Sequence, residues 1–335
     1  MKSVYITGIA GFLGSHLADF LTAHGESVKG VDSLIGGYED NVPTGAEFHN
    51  FDMLDLDRLT NSMVNVEVVY HTACTAYEGL SVFSPSIVTA NTVQISVNAM
   101  TAAIRNGVKR FVHCSSMARY GSQDSTPFTE DMVCKPQDPY GISKFAAELL
   151  LQNLAAVHGI ELVIAVPHNI IGPRQKYDDP FRNVASIMAN LMLQNRAPII
   201  YGDGTQVRCF SDVDDDIWCL AKLGSEPGIN GEVFNIGPDE NPISINELAT
   251  IIAKLTGFSA SPIYIDPRPQ EVKHATCSAD KIRTRFGYST SYNIEESLVK
   301  LIDYIRKRGT RKFEYHMPVE IINEKTPISW KNRMF

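Results

Sequence analysis

The sequence has no pair of cysteines at C-x-x-C spacing, although its 335 residues include six cysteines, Cys74, Cys114, Cys134, Cys209, Cys219 and Cys277. Zinc and dithiol redox motifs need such close pairs, so neither is indicated and no metal is expected. No apolar run approaches the roughly 18 residues of a bilayer-crossing helix, so no membrane partner is expected. Basic residues are outnumbered, with 30 lysines and arginines against 38 acidic residues and a formal net charge of −8. With that acidic balance the chain does not resemble a nucleic-acid binder, so no nucleic-acid partner is expected. An anionic ligand must then be met by a few placed arginines and by helix N-termini. Residues 1–7 (MKSVYIT) lack the apolar core and cleavage site of a signal peptide and read as a strand, so a reducing cytoplasm is the expected setting.

What is present is an ordinary globular composition, 44% hydrophobic and 20% charged, with room for a sizeable core. Strand and helix signals alternate through the first half. Val4–Thr7, Ser27–Val31, Ala46–Phe51, Val66–His71, Arg110–Cys114 and Ile160–Val166 read as strands. Between them, Phe12–His24, Leu54–Met63, Thr89–Asn106 and Tyr140–His158 carry helical spacing. That alternation predicts a parallel sheet with helices on both faces. Beyond Pro167 the rhythm breaks. Phe181–Leu193, Ile243–Thr256 (with Ser244 as N-cap) and Ile294–Arg308 read as helices. Ile199–Gly204 and Arg208–Ser211 read as short strands. The segment 309–335 has no clear assignment.

The stretch Thr7-Gly8-Ile9-Ala10-Gly11-Phe12-Leu13-Gly14 lies between a strand and a helix. Glycine permits a tight turn and a close backbone approach, and the helix N-terminus supplies N–H groups for a pyrophosphate. A glycine-rich turn alone is a common structural feature, but the strand before it and the apolar helix after it are the confirming context. Asp32 follows at the end of the second strand, where a carboxylate accepts from ribose hydroxyls and repels a 2′-phosphate, so NAD is expected rather than NADP.

Tyr140 and Lys144 stand four apart on a predicted helix and share a face. A free tyrosine titrates near about 10. A neighbouring ammonium and a positive nicotinamide favour its phenolate, which can take a proton from a substrate hydroxyl. Ser116, at a strand end, can bond both that hydroxyl and Tyr140. Y-x-x-x-K alone is more often a solvated helix face; the glycine turn, Asp32 and Ser115-Ser116 give it weight.

With these pieces assembled, the sequence resembles the extended short-chain dehydrogenase/reductase family of nucleotide-sugar epimerases and dehydratases, most of all its UDP-sugar 4-epimerases. The matching motifs run in order over residues 2–305: TGIAGFLGS at 7–15, FDMLD at 51–55, HTA at 71–73, SSMARYG at 115–121, YGISK at 140–144, HNIIGPRQ at 168–175, IIYGDGTQVR at 199–208 and RPQEV at 268–272. The resemblance implies a Rossmann-type doubly wound sheet over 1–167 that binds NAD. It also implies a smaller, discontinuous substrate lobe over 168–308, part of which returns to the first domain, and an extension over 309–335. It implies Ser116, Tyr140 and Lys144 as the catalytic set. It implies cofactor contacts from Gly8, Gly11, Phe12, Leu13, Gly14, Asp32, Ser33, Asp52, Met53, Thr72, Ala73, Asn91, Ser116, Tyr140, Lys144, Pro167 and His168. Asn169, Asn183, Val184, Tyr201, Arg208, Arg268 and Ala275 match substrate positions, the two arginines suiting a nucleoside diphosphate. A homodimer through the helices Thr89–Asn106 and Tyr140–His158 is also implied.

Within such a family, 4,6-dehydratases carry an Asp-Glu pair after the strand-end Ser or Thr. Here Met117 and Ala118 follow Ser116. Epimerases of GDP-sugars place a cysteine two before the motif tyrosine, and here Ala118 precedes Tyr120. The bare set therefore points to C4 epimerisation of a nucleotide-activated hexose, with a dehydratase or 4-ketoreductase as alternative and a non-catalytic NAD-binding regulator as a reading of another class. The sugar stays open among N-acetylhexosamine, hexose and hexuronate. Ala275 leaves room for a C2 N-acetyl group or is an ordinary packing residue. Lys176 matches a position basic in some hexuronate epimerases or is a solvated loop lysine. The sequence departs from common family residues at Val166 (often Arg), Ala76 (often Lys) and Cys209 (often Asp).

Overall fold

The computed structural model describes residues 2–335. Six strands rise from the first half: β1 Ser3–Thr7, β2 Ser27–Asp32, β3 Glu47–Asn50, β4 Val68–His71, β5 Arg110–Cys114 and β6 Glu161–Pro167. A seventh, Val233–Ile236, returns from the second half of the chain to pair with β6. All seven are parallel, in the spatial order Val233–Ile236, β6, β5, β4, β1, β2, β3. Direction of winding reverses beside β1, so a crevice opens at the carboxyl ends of β1 and β4.

The central strands β1, β4, β5 and β6 are buried almost throughout because both faces are covered. Alternate side chains serve different cores. Tyr5, Val69, Phe111, Leu162 and Ile164 pack against Ala99, Met100 and Leu151 on one face. Val4, Ile6, Val68, Val112 and Val163 pack against Leu17, Leu21, Ile217 and Leu220 on the other. A third core joins the helices Val184–Leu193, Ile245–Thr256 and Ile294–Arg308 through Met188, Met192, Leu248, Ile252, Leu298, Leu301 and Ile305.

Several sequence expectations change. The helix expected over Phe181–Leu193 begins at Val184, because Asn183 is extended and its side chain accepts from the Ala185 N–H as an N-cap. The helix expected from Thr89 starts at Pro85, a residue whose fixed φ suits a first helical turn. It is disturbed at Asn91 (φ −80°, ψ 16°) and regular again over Ile95–Arg105. The strand expected over Ile199–Gly204 stops at Tyr201. That expected over Arg208–Ser211 divides into Val207–Arg208 and Ser211–Asp212. Ser244 caps Ile245–Thr256 with a full capping box to Glu247, and Gly257 ends that helix in the left-handed region. The stretch Pro85–Arg105 is long and apolar enough by length and composition to cross a membrane, with a mean hydropathy of 1.2, but half of that window is buried inside the fold.

The segment 309–335 docks onto the walls of the crevice. Met317 and Trp330 are buried with Tyr77, Leu80, Phe83 and Phe181, and Trp330 stands edge-on to Phe83 and Phe181 at 5.8 and 5.2 Å. The Glu320 carboxylate accepts from the N–H groups of Ser86 and Ile87, satisfying open donors of the helix that starts at Pro85. Trp330→Ala removes the centre of this cluster and is expected to lower stability by about 3 kcal/mol, read as an earlier urea midpoint. An unchanged midpoint would show that the segment does not dock this way.

Candidate active site

The turn after β1 is built by three glycines with separate tasks. Gly8 sits at φ +74°, and a Cβ there would stand 3.0 Å from the Ala73 Cα. A Cβ on Gly14 would collide with the Gly8 carbonyl. Gly11 is the N-cap of the helix Phe12–Ala23 and donates to the Gly8 carbonyl at 3.0 Å. No side chain caps that helix and no acidic residue lies in its first turn, so its N–H groups face the crevice open. This is the electropositive cradle that a pyrophosphate requires. At the end of β2 the buried Asp32 carboxylate accepts from Ala10 N–H at 3.0 Å and Leu34 N–H at 2.7 Å. Burial pushes its carboxyl up, and the amides of Leu34, Ala10 and Gly11 oppose that push.

The opposite wall follows β4. Thr72 donates to the Thr7 carbonyl at 2.6 Å, and the Ala73 N–H donates to the Thr7 hydroxyl at 3.2 Å. The Asn91 carbonyl, at the helix disturbance, accepts from Thr75. Asp52 accepts from the Leu54 N–H, and Met53 is buried beside it.

β5 delivers Ser116, whose hydroxyl accepts from the Ala118 N–H at 3.2 Å. Tyr140 enters from the helix Pro139–His158, which Asp138 caps by accepting from Gly141 N–H at 3.0 Å. Tyr140 and Lys144 are both buried. The Lys144 ammonium donates to the Cys114 carbonyl at 2.8 Å. Burial drives the Tyr140 phenol well above its ordinary value, Cys74 adds to this, and a hydrogen bond with Ser116 opposes it. Behind the pair, Glu148 binds the Ser115 hydroxyl and meets Arg119 at 3.1 Å, an ion pair buried on both sides. It fixes the helix one turn beyond Lys144.

The second half of the chain closes the crevice. His168 bonds the Pro238 carbonyl at 2.7 Å, and burial lowers its imidazole. Asn169, at φ +41°, donates to the Cys209 carbonyl at 3.0 Å. The Arg268 guanidinium lies 4.8 Å over the Tyr201 ring and donates to Glu271 at 2.8 Å. Tyr201 OH meets the Ser329 hydroxyl at 2.7 Å, so the docked terminal segment positions this ring. Arg208 donates to the carbonyls of Val207 and Val272. Ala275 is buried in register with Arg208.

The glycine turn, Asp32, Asp52, Met53, Thr72, Ala73, Asn91, Ser116, Tyr140, Lys144, His168, Asn169, Tyr201, Arg208, Arg268 and Ala275, together with Phe12, Leu13, Ser33, Pro167, Asn183 and Val184, line one cleft of about 460 Å³. Every residue that the sequence singled out for the site therefore reaches it. Lys176 lines it too, but stands 4.7 Å over the Tyr38 ring and 3.5 Å from Asp178, so it already has an anion. Sequence reasoning missed Glu78, Asp138, Arg182 and Phe335, which share the cleft. Arg182 directly precedes Asn183, which was the available signal. Burial pushes the Glu78 carboxyl up, Asp138 adds to this, and Arg208 and Arg268 oppose it.

The model of the NAD dependent epimerase/dehydratase family matches residues 4–237. The chain belongs to that family. It is similar to a UDP-glucose 4-epimerase of Mycolicibacterium smegmatis, 31% identical over 91% of this chain and 98% of the relative. Among solved structures it is similar to the Thermotoga maritima UDP-glucose 4-epimerase with UDP-glucose, 30% identical, covering 92% of this chain and 99% of that one at a TM-score of 0.85. A Bacillus cereus UDP-glucuronic acid 4-epimerase in complex with UDP-glucuronic acid and NAD is 28% identical, covering 92% and 100%, also at 0.85. NAD is the cofactor of this epimerase/dehydratase family member, and the open helix N-terminus, the glycine approach and Asp32 fit it.

Proposed function

We propose that this chain interconverts the C4 epimers of a UDP-hexose. The observation that carries the reading is the composition of the cleft around Tyr140. Ser116, Tyr140 and Lys144 converge there, while Met117 and Ala118 line it where a dehydratase carries its acid pair. Relatives that are UDP-glucose and UDP-glucuronate 4-epimerases support it.

NAD in this cleft would supply the hydride acceptor and donor for oxidation and re-reduction at C4. Ser116 holds the C4 hydroxyl against Tyr140, whose oxygen takes the hydroxyl proton and later gives it back. Lys144, buried one turn along the same helix and donating to the Cys114 carbonyl, brings a cation to this end of the cleft, which favours phenolate. Arg208, Arg268 and Tyr201 hold the nucleotide end. The sugar must turn over between the two half-reactions, and few side chains restrain it. Lys176 is paired with Asp178, so it is not a free partner for a hexuronate carboxylate. Ala275 is compatible with a C2 N-acetyl group.

Incubation with UDP-glucose, UDP-N-acetylglucosamine and UDP-glucuronate, followed by NMR, tests the reading. Equilibration of a C4 pair with no net NADH is expected. A 4-keto-6-deoxy product would favour the dehydratase, stoichiometric NADH consumption the ketoreductase, and no turnover the regulatory reading. Asp32 leads to a second expectation. NADP is expected to bind at least about 100-fold more weakly than NAD in calorimetry, because its 2′-phosphate meets a carboxylate. Equal affinities would remove Asp32 from the ribose site.

We also propose a homodimer in a reducing cytoplasm. All six cysteines are free, and Ile142, Leu149, Leu150 and Val157 are exposed along the helix Pro139–His158. Light scattering distinguishes one copy from two.

A further inference from the structure

We propose that Arg182 is a phosphate-binding residue of the NAD site, delivered from the substrate side of the cleft. Arg182 follows Pro180 and Phe181 in the loop before the helix Val184–Leu193 and lines the cleft. Its Nη2 donates to the Gly36 carbonyl at 3.2 Å, on the loop that follows Asp32. That loop is seated on the glycine turn. The Tyr38 N–H donates to the Ala10 carbonyl at 3.2 Å, and a Cβ on Gly37 would collide with that same carbonyl. The guanidinium therefore stands beside the turn whose open N–H groups face the crevice.

Its other contacts aim it and leave hydrogen-bond donors unused. The guanidinium stacks 5.0 Å over the Tyr77 ring. Asp179 is 3.9 Å from Nε, beyond hydrogen-bond length, and already accepts from Tyr77 OH at 2.7 Å and Phe181 N–H at 2.9 Å. The buried Nε has no hydrogen-bond partner. The side chain remains 21% exposed and borders the cleft, so unused donors can reach a ligand.

Electrostatics favours such a cation. A dinucleotide diphosphate brings about two negative charges next to the carboxylate of Asp32, and a helix N-terminus supplies only about half a positive charge. The other cations of the cleft serve elsewhere: Lys144 donates to the Cys114 carbonyl, Lys176 faces Asp178, and Arg208 and Arg268 stand at the nucleotide end of the substrate site, Arg268 beside Glu271. The Arg182 charge is felt at Asp32, where it opposes the upward push of burial. A planar fork beside the turn suits phosphate oxygens. Cofactor retention would then depend on the loop from the substrate half.

The proposal rests on NAD as cofactor and not on the identity of the sugar. Its test is the NAD content of purified protein and the affinity of the NAD-depleted protein for NAD and for UDP, each by calorimetry. Arg182→Gln is expected to lower NAD occupancy and to weaken NAD binding by about 10- to 100-fold, the loss of a charge-assisted hydrogen bond. Its NAD affinity should also become less sensitive to salt, and UDP affinity should hold. Arg182→Lys should recover part of the loss. Gly36→Ala gives an independent variant, because its Cβ meets only the Arg182 guanidinium and displaces it without removing charge. It too should weaken NAD binding. Normal NAD occupancy, affinity and salt dependence in folded Arg182→Gln, or in Gly36→Ala should Arg182→Gln not fold, overturns the proposal. So does a loss confined to UDP.

Discussion

Tyr140→Phe is expected to lower kcat by about 10³-fold while NAD content and UDP affinity stay near those of the unaltered protein. The phenyl ring keeps the packing of a buried side chain. It removes only the oxygen that moves the C4 hydroxyl proton. The pH profile supplies a second readout. Burial holds the Tyr140 phenol high and its hydrogen bond with Ser116 opposes that; a positive nicotinamide beside it would bring it down further. A base acts only when deprotonated, so the rate of the intact enzyme rises with pH on its acid side. The residual rate of Tyr140→Phe should lose that rise. A variant with full activity, or with the same pH limb, would take the base away from Tyr140.

Gly14→Ala carries the other large effect. The added methyl meets the Gly8 carbonyl, which is backbone and cannot rotate away as a side chain would. The turn must open, and the N–H groups at Phe12 and Leu13 lose their alignment with the pyrophosphate. Overpacking of this kind costs about 1–3 kcal/mol in stability. Purified Gly14→Ala should therefore contain no NAD, melt earlier than the parent, and show no epimerase activity. Retained NAD would mean that the cofactor does not depend on this approach of helix to strand.

The sheet and the glycine turn were legible because their causes are local. The inner strands declare themselves by short runs of apolar residues between helical stretches, and each glycine of the turn by its place between strand and helix. The pair Tyr140 and Lys144 is legible for the same reason, since four residues on one helix fix a common face. What stayed hidden depends on contacts distant in sequence. Arg182 meets Gly36 across 146 positions, and nothing near either residue announces the other. Trp330, Phe83 and Phe181 form one aromatic cluster from three remote segments. The helix Val213–Ser225 has no assignment from the sequence, where three acidic residues, Asp214, Asp215 and Asp216, open it. In the structure Asp212 caps that helix, Asp215 accepts from the Ser291 N–H, and Asp216 is buried against the Ser211 hydroxyl. Acidic side chains near a helix start are favoured by its dipole, a signal that composition alone conceals. The return strand Val233–Ile236 is too short to read by period, and its pairing with β6 defines it.

Bare chemistry at Tyr140 is the central claim, and the fate of the C4 hydrogen tests it most directly. The enzyme is incubated in ordinary water with UDP-glucose, UDP-N-acetylglucosamine and UDP-glucuronate, each carrying deuterium at C4. The account predicts a C4-epimeric product from at least one of them, with the deuterium still on C4. Deuterium moved to C6, lost to solvent, or left in unconverted substrate in all three cases would contradict it.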